Sequence, residues 1–145
     1  LSVATGIAWA KKKQGEKGRV YCIMSDGELN EGAIWEAVMI AAHHKLNNLV
    51  AIVDGNKWQA MGRTSDIIDI DGPRSFRGFR WCTARINGHD YKEIEDALEH
   101  NFDKPLLIFA DTIKGKGVSF MEDHLVFHYK HIGDDEYIRA MKELS

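Results

Sequence analysis

The chain has 145 residues, of which 44% are hydrophobic and 28% are charged, and its formal net charge is −3. This composition is typical of a globular domain that is long enough to bury a core. Nucleic-acid-binding domains are usually basic, so the slight acidic excess argues against that class of protein. No apolar stretch approaches the length that spans a bilayer, so we also expect no membrane partner.

The elements predicted from the apolar periodicity alternate between strand and helix. In chain order they are a helix over 2–13, a strand over 19–24, a helix over 31–45, a strand over 48–53, a loop with a short helix over 60–80, a strand over 81–86, a helix after Asp90, a strand over 106–110, a loop over 111–119 and a helix over about 134–144. Alternation of this kind predicts an α/β fold, in which a doubly wound, mostly parallel sheet is flanked by helices. The continuous apolar character of the strands indicates a sheet that is covered on both faces.

Three local patterns refine this prediction. Gly15 is a natural stop for the first helix, and Asp90 with Glu93 predicts a capping box at the start of a later one. The helix over 31–45 is apolar on nearly all sides, which places it either in a core or against a second chain. Cys22 and Cys82 lie within strand-like runs and form no CxxC pair. We therefore expect buried, reduced thiols in a cytoplasmic protein, with neither a disulfide nor a zinc site.

Polar residues follow the first two strands at the point where each strand ends. Asp26 ends the first strand, and Asn56, thirty positions later, follows the second. Parallel sheets bind ligands beyond the carboxyl ends of their strands, so both side chains would face one crevice. Oxygen ligands of this kind suit Mg²⁺ or Ca²⁺, and the nearby helix start at Glu31 and Gly32 would favour an anion. The residues alone predict a metal-assisted diphosphate site, although Asp-Gly pairs are also common in ordinary turns.

Several segments of the chain resemble the motifs of one enzyme family. SDGELNEGAIWEA, followed by NNLVAIVDGNKWQ, resembles the thiamine-diphosphate motif of transketolases, in which GDG is followed by Asn after about thirty residues. LSVATGIAWA, INGHD and DTIKGKGVSFMED are similar to the same family in the same order, so the resemblance covers nearly the whole chain. It implies that Asp26, Asn56 and the backbone carbonyl of Trp58 bind the divalent cation. It also implies that the backbone at Gly27 approaches the diphosphate of thiamine diphosphate.

The resemblance also implies roles for three ionisable residues. Glu31 resembles a carboxylate near the aminopyrimidine side of the cofactor, and the alternative is that it is simply an acidic residue of a first helical turn. Glu36 resembles a carboxylate at an interface between subunits, and the alternative is that it faces solvent. His128 resembles the histidine that faces diphosphate and substrate. The chain departs from the family pattern at Ser25, where the motif has Gly, and at Tyr129, where Gly often follows the histidine.

The function implied by the resemblance is transfer of a two-carbon ketol unit from a ketose, often phosphorylated, to an aldose. Residues 1–145 would form part of the diphosphate-binding domain, without its N-terminal portion and without the pyrimidine-binding domain. The expected partners are that domain, or a C-terminal subunit carrying it, within a homodimer or heterotetramer, and sugar phosphates as substrates. The alternatives are a 1-deoxyxylulose-5-phosphate synthase-like enzyme and a non-catalytic domain that retains the fold.

Overall fold

A computed structural model describes all 145 residues. The helices are α1 (Ser2–Gln14), α2 (Gly32–His43), α3 (Thr64–Ile67), α4 (Gly72–Gly78), α5 (Tyr91–Glu99) and α6 (Asp134–Glu143). The strands are β1 (Val20–Ser25), β2 (Leu49–Gly55), β3 (Trp58–Gln59), β4 (Gly62–Arg63), β5 (Cys82–Asn87) and β6 (Leu106–Asp111). Single turns of 3-10 helix cover Gly27–Asn30 and Leu125–His128. No helix is long and apolar enough to cross a membrane.

Four strands form one parallel sheet in the order β1-β2-β6-β5. The remaining two strands, β3 and β4, form a small antiparallel hairpin. The predicted α/β class, with a mostly parallel sheet flanked by helices, is confirmed. Parallel pairing aligns the carboxyl ends of β1 and β2, and Ser25 lies opposite Asp54 at that edge.

Alternate residues of β2 point into two different cores, as the period of a strand requires. Leu49, Ala51 and Val53 belong to a core that also contains buried residues of α1, α2 and α4. Val50 packs on the other face, in a smaller core with Ala97 of α5. Each large apolar side chain buried in this way contributes roughly 1.5–3 kcal/mol. Burial on both faces explains why the central strands β2 and β6 are continuous apolar runs, whereas one face of the edge strand β1 remains exposed.

Helix ends follow the predicted signals in part. Gly15 ends α1 with φ +70°, and its backbone N–H donates to the Lys12 carbonyl to close the last turn. The Asp90 carboxylate accepts hydrogen bonds from the backbone N–H groups of Lys92 and Glu93. The predicted capping box is wrong in its second half, because the Glu93 carboxylate accepts from Asn87 N at 2.7 Å rather than from Asp90 N.

Two further expectations need correction, and a third stays open. Cys22 and Cys82 are free but only half-buried, because each lies on a strand at an edge of the sheet. α2 is buried on one side, and Met39 and Ile40 remain about half exposed, so its packing against a second chain stays a prediction. The predicted loop over 60–80 contains the hairpin strand β4 and two short helices, α3 and α4. These elements span too few residues to show a periodic pattern.

Candidate functional site

The crevice at the carboxyl ends of β1 and β2 brings Asp26 and Asn56 together, as the sequence predicts. The backbone N–H of Asp26 donates to the carbonyl of Asp54 at 3.2 Å, so the chain after β1 stays attached to the end of β2. Asp26 and Asn56 are two of only three buried polar or charged residues in the molecule. Two buried oxygen-bearing side chains at one strand edge require a polar partner, because unpaired polar groups are costly in the interior.

One oxygen of Asp26 has such a partner and the other does not. Oδ2 accepts a hydrogen bond from the backbone N–H of Lys57 at 2.6 Å. Oδ1 is buried and has no hydrogen-bond partner. Burial raises the pKa of the Asp26 carboxyl, the Lys57 N–H opposes that rise, and the nearby Asp54 charge adds a little to it. A buried carboxylate oxygen without a donor is a position that a hard cation would satisfy.

The amide of Asn56 is held in one orientation by two contacts. Its Nδ2 donates to Asp54 Oδ2 at 2.9 Å, and its Oδ1 accepts from the backbone N–H of Trp58 at 2.9 Å. A carboxylate can only accept and a backbone N–H can only donate, so the two contacts fix which end of the amide is oxygen. The Asn56 Oδ1 atom keeps a second lone pair for another ligand.

Residues around this pair shape the turn after β2. Asp54 Oδ1 accepts a hydrogen bond from the hydroxyl of Thr112, which follows β6. Lys57 adopts the left-handed conformation, with φ +68°, and so reverses the chain between Asn56 and Trp58. Sequence reasoning missed Asp54 and Thr112. The first of them could have been suspected, because it is the acidic residue two positions before Asn56.

Two glycines near the site are closely packed, and at Gly55 the packing excludes a side chain. A Cβ atom at Gly55 would lie 2.4 Å from Cε1 of Phe109, so β2 can approach β6 this closely only without a side chain. A Cβ atom at Gly27 would lie 3.0 Å from Cβ of Gln59. The close neighbour of Gly27 is thus the hairpin. The approach of the Gly27 backbone to a diphosphate remains a prediction.

Glu31 and Glu36 both lie on the exposed side of α2. Glu31 occupies the N-cap position of that helix and makes no capping hydrogen bond with its side chain. Glu36 is exposed and lines a cleft of about 280 Å³ between α1 and α2, together with Trp9 and Ile40. The Glu36 side chain faces solvent in the single chain, as one of the two alternatives predicts. A role in an interface remains a prediction.

His128, unlike Asp26 and Asn56, lies on the exposed surface. It ends the 3-10 turn Leu125–His128, is exposed, and makes an edge contact with the ring of Tyr129 at 6.4 Å between centroids. It does not line the cavity of about 240 Å³ that contains Asp26 and Lys57. The structure does not test the predicted role of His128, which rests on the resemblance alone.

An ion pair that sequence reasoning missed lines the same cavity. Arg85 donates to both carboxylate oxygens of Asp111, at 2.6 and 2.7 Å. The Arg85 guanidinium holds the pKa of the Asp111 carboxyl below its usual range. These residues stand near the ends of the neighbouring strands β5 and β6, and their position at strand ends was the signal that could have identified them.

The donor set at the crevice fits a divalent cation of the oxygen-loving kind. Nowhere in the chain do three or more His, Cys, Asp or Glu side chains gather as a metal site. A cation at Asp26 would therefore take amide and backbone carbonyl oxygens for its remaining protein ligands. Mg²⁺ commonly has few carboxylate ligands and completes its coordination with water and phosphate oxygens.

A parallel α/β sheet with polar side chains at adjacent strand ends is the arrangement in which α/β domains bind their ligands. Comparison with known proteins gives the family. Residues 8–145 match the family model described as transketolase, thiamine diphosphate binding domain. The chain therefore belongs to the transketolase thiamine-diphosphate-binding domain family.

Three relatives illustrate the similarity. One of the subunits of apulose-4-phosphate transketolase from Actinobacillus succinogenes is 40% identical over 100% of this chain and 54% of its own length. The transketolase of Pongo abelii is 37% identical over 99% of this chain and 23% of its own. A crystal structure of transketolase from Campylobacter jejuni superposes with a TM-score of 0.92 and 32% identity, over 97% of this chain and 24% of that one. The chain spans about half the length of the Actinobacillus succinogenes relative and about a quarter of the other two.

Proposed function

We propose that this chain is the diphosphate- and cation-binding part of a thiamine-diphosphate-dependent transferase. The reaction we propose passes a two-carbon ketol unit from a ketose phosphate to an aldose phosphate. The observation that carries the proposal is the buried, unpartnered Oδ1 of Asp26 beside the oriented amide of Asn56. Membership of the thiamine-diphosphate-binding family supports the identity of the cofactor.

In this proposal the chain anchors the cofactor through a divalent cation, Mg²⁺ or Ca²⁺. Asp26 Oδ1, Asn56 Oδ1 and the backbone carbonyl of Trp58 supply the protein ligands. Gly27, which has no side chain, lets its backbone approach the diphosphate, and the N-terminus of α2 at Gly32 favours the same negative charge. When bound, the thiazolium of thiamine diphosphate supplies the nucleophile and the electron sink for the transferred unit.

The remaining predicted residues lie on exposed surface, which is consistent with a site completed by another part of the protein. We propose that Glu31 faces the aminopyrimidine side of the cofactor and that His128 faces diphosphate and substrate. Glu36 would join an interface between protomers. A pyrimidine-binding domain, or a second subunit that carries it, would cover these residues in a homodimer or heterotetramer.

The name of one relative supports the substrate class that we propose. The Actinobacillus succinogenes relative is named as part of an apulose-4-phosphate transketolase, so a ketose phosphate is the donor that we propose.

The two cysteines are unpaired in the structure, which fits a reducing compartment, and we propose the cytoplasm.

Calorimetric titration of thiamine diphosphate into the complete protein tests the proposal. The titration is made with Mg²⁺ and repeated with EDTA, using Asp26→Ala as the binding-site variant. We expect binding that requires Mg²⁺ and that disappears in Asp26→Ala. Equal heats of binding with and without Mg²⁺ would contradict the proposed cation site. No binding by the complete assembly would favour a domain that has kept the fold and lost the activity.

A further inference from the structure

A single carboxylate, far along the chain, holds the hairpin that follows the candidate metal site. Asp123 Oδ1 accepts hydrogen bonds from Trp58 Nε1 at 2.8 Å and from Arg63 Nη1 at 2.7 Å. Asp123 Oδ2 accepts from Arg63 Nη2 at 2.6 Å. The Arg63 guanidinium also lies over the indole of Trp58, 3.7 Å from the ring centroid. The three side chains therefore form a closed cluster in which each member contacts the other two.

This cluster differs from an ordinary surface ion pair. An isolated exposed pair contributes little to stability, whereas a two-pronged arginine contact within a network holds a defined geometry. Hydrogen bonds from Arg63 and Trp58 lower the pKa of the Asp123 carboxyl to about 2, so the carboxylate is charged throughout the neutral range. The backbone of Asp123 is left-handed, with φ +61°, and its N–H donates to the Lys114 carbonyl at 2.9 Å. A non-glycine residue in that conformation is uncommon and needs support from its surroundings.

The hairpin formed by β3 and β4 depends on the contacts that Trp58 and Arg63 make with Asp123. β3 and β4 pair only two residues each, Trp58 with Arg63 and Gln59 with Gly62, and so short a ribbon has little stability of its own. Trp58 is fixed at two points. Its backbone N–H donates to Asn56 Oδ1, and its indole N–H donates to Asp123. Moving the indole would therefore move the main chain that contacts the candidate cation ligand.

We infer that Asp123 and Arg63 are positioning residues that preset the cation site by fixing Trp58 beside Asn56. In this inference they act through the Trp58 side chain and are not themselves ligands of the cation. The inference rests on the proposed function, because it needs a cation at Asp26 and Asn56. Groups that orient metal ligands in this indirect way typically change metal affinity by about 10- to 100-fold when they are removed.

Mn²⁺ is the probe for the test, because its free form gives a resolved paramagnetic resonance signal. Its dissociation constant is measured in the complete protein with thiamine diphosphate present. Asp123→Asn keeps the size of the side chain but loses the charge that pairs with Arg63. Trp58→Phe keeps the backbone carbonyl and an aromatic ring but loses the indole N–H. Asp96→Asn is the matched control, because it breaks an exposed ion pair with Lys92 at 2.7 Å on α5, away from the site.

We expect Asp123→Asn and Trp58→Phe each to weaken Mn²⁺ binding by about 10-fold, and Asp96→Asn to leave it unchanged. We also expect kcat of Asp123→Asn to return to the wild-type value at saturating Mn²⁺, since a residue that only positions the cation site changes the affinity for the cation. A loss of folded protein would instead lower kcat at every Mn²⁺ concentration. If Asp123→Asn fails to fold, the Trp58→Phe measurement decides.

Two outcomes would overturn the inference, and they are distinguishable. In the first outcome, the wild type binds Mn²⁺ more tightly than Asp26→Ala does, but Asp123→Asn and Trp58→Phe bind it as tightly as the wild type. Only the positioning role is then wrong. If the wild type and Asp26→Ala bind Mn²⁺ equally, the proposed cation site is wrong, and the positioning role falls with it.

Discussion

The cation-binding role that we propose for Asp26 opposes its contribution to the stability of the folded chain. Its carboxylate is 7% exposed, and one of its oxygens has no partner. We predict that Asp26→Asn makes the cation-free protein more stable by roughly 1 kcal/mol, because it removes a buried charge whose desolvation is not fully offset. Urea unfolding in EDTA at neutral pH measures this difference. If Asp26→Asn were less stable than the wild type under those conditions, the buried charge of Asp26 would be offset by its surroundings, and the prediction would be wrong.

The same residue gives a pH dependence whose sign follows from its raised pKa. Burial raises the pKa of Asp26 in the folded state, so the ionised carboxylate weakens folding as the pH rises through that value. We predict that the stability gap between Asp26→Asn and the wild type is largest at neutral pH and narrows as the pH falls. Unfolding curves in EDTA at a series of pH values test this. In saturating Mg²⁺ we expect the wild type to be the more stable of the two, because only it binds the cation.

The residue scale also shows what the sequence could predict of the site. The meeting of Asp26 and Asn56 follows from one strand-helix-strand unit, so local patterns were sufficient. The contacts of Thr112 with Asp54, and of Asp123 with Trp58, join residues 58 and 65 positions apart. No periodic pattern encodes such side-chain contacts between loops, and only the folded structure identifies them.

At the scale of single elements, the packing of β2 against β6 depends on Gly55. A methyl group there would lie 2.4 Å from Cε1 of Phe109 and 3.1 Å from the Ala110 carbonyl oxygen. We predict that Gly55→Ala costs about 1–3 kcal/mol of unfolding free energy, since neither the ring nor the backbone can move away freely. Because Asn56 is the next residue, we also expect weaker cation binding.

Gly6→Ala is the matched control for that substitution. Gly6 lies within α1, and a Cβ atom added there meets nothing within 4 Å. We therefore expect it to stabilise the chain by roughly 0.5–1 kcal/mol through helix propensity alone. Chemical unfolding of both variants provides the comparison. Equal effects at the two glycines would show that the close contact at Gly55 relaxes without cost.

The end of α5 is held by an arginine that immediately precedes β1. Arg19 Nη2 donates to the carbonyl of His100 and to Asn101 Oδ1, both at 2.6 Å, and Nη1 donates to the Leu98 carbonyl. We predict that Arg19→Met destabilises the fold by roughly 1–3 kcal/mol, because carbonyls at the helix end lose a charged donor. Arg74→Met, at an exposed position of α4, should change the unfolding midpoint little. A similar loss in both variants would count against the capping role of Arg19.

Element boundaries were predicted closely where the elements are long. α1, α6 and the four sheet strands lie within about two residues of their predicted limits, since a core face repeated over several residues leaves a clear pattern. The hairpin strands and α3 have two to four residues each, too few for any period to be recognised.

At the scale of the whole molecule, the sheet is covered unevenly. Tyr21 and Ile23 lie opposite Val50 and Ile52 in the register of β1 and β2, so all four side chains share one face. Val50 is buried in the core beneath α5, but Tyr21 is 51% and Ile23 is 76% exposed, because no helix reaches that side of β1. β1 is also an edge strand, with unpaired backbone groups along its outer side. An apolar edge of this kind is a ready site for association with another chain.

We therefore predict that the 145-residue chain, produced by itself, self-associates as its concentration rises. Ile23→Lys should shift it toward the monomer, because a charged side chain on the open strand must be desolvated in any strand-to-strand contact. Tyr91→Lys is the matched control, since Tyr91 is also strongly exposed but stands alone at the start of α5. Sedimentation velocity over a range of concentrations separates the cases. A wild-type chain that stays monomeric at all concentrations would mean that the exposed face of β1 is tolerated in water. Equal effects of Ile23→Lys and Tyr91→Lys would mean that net charge, rather than the β1 surface, controls association.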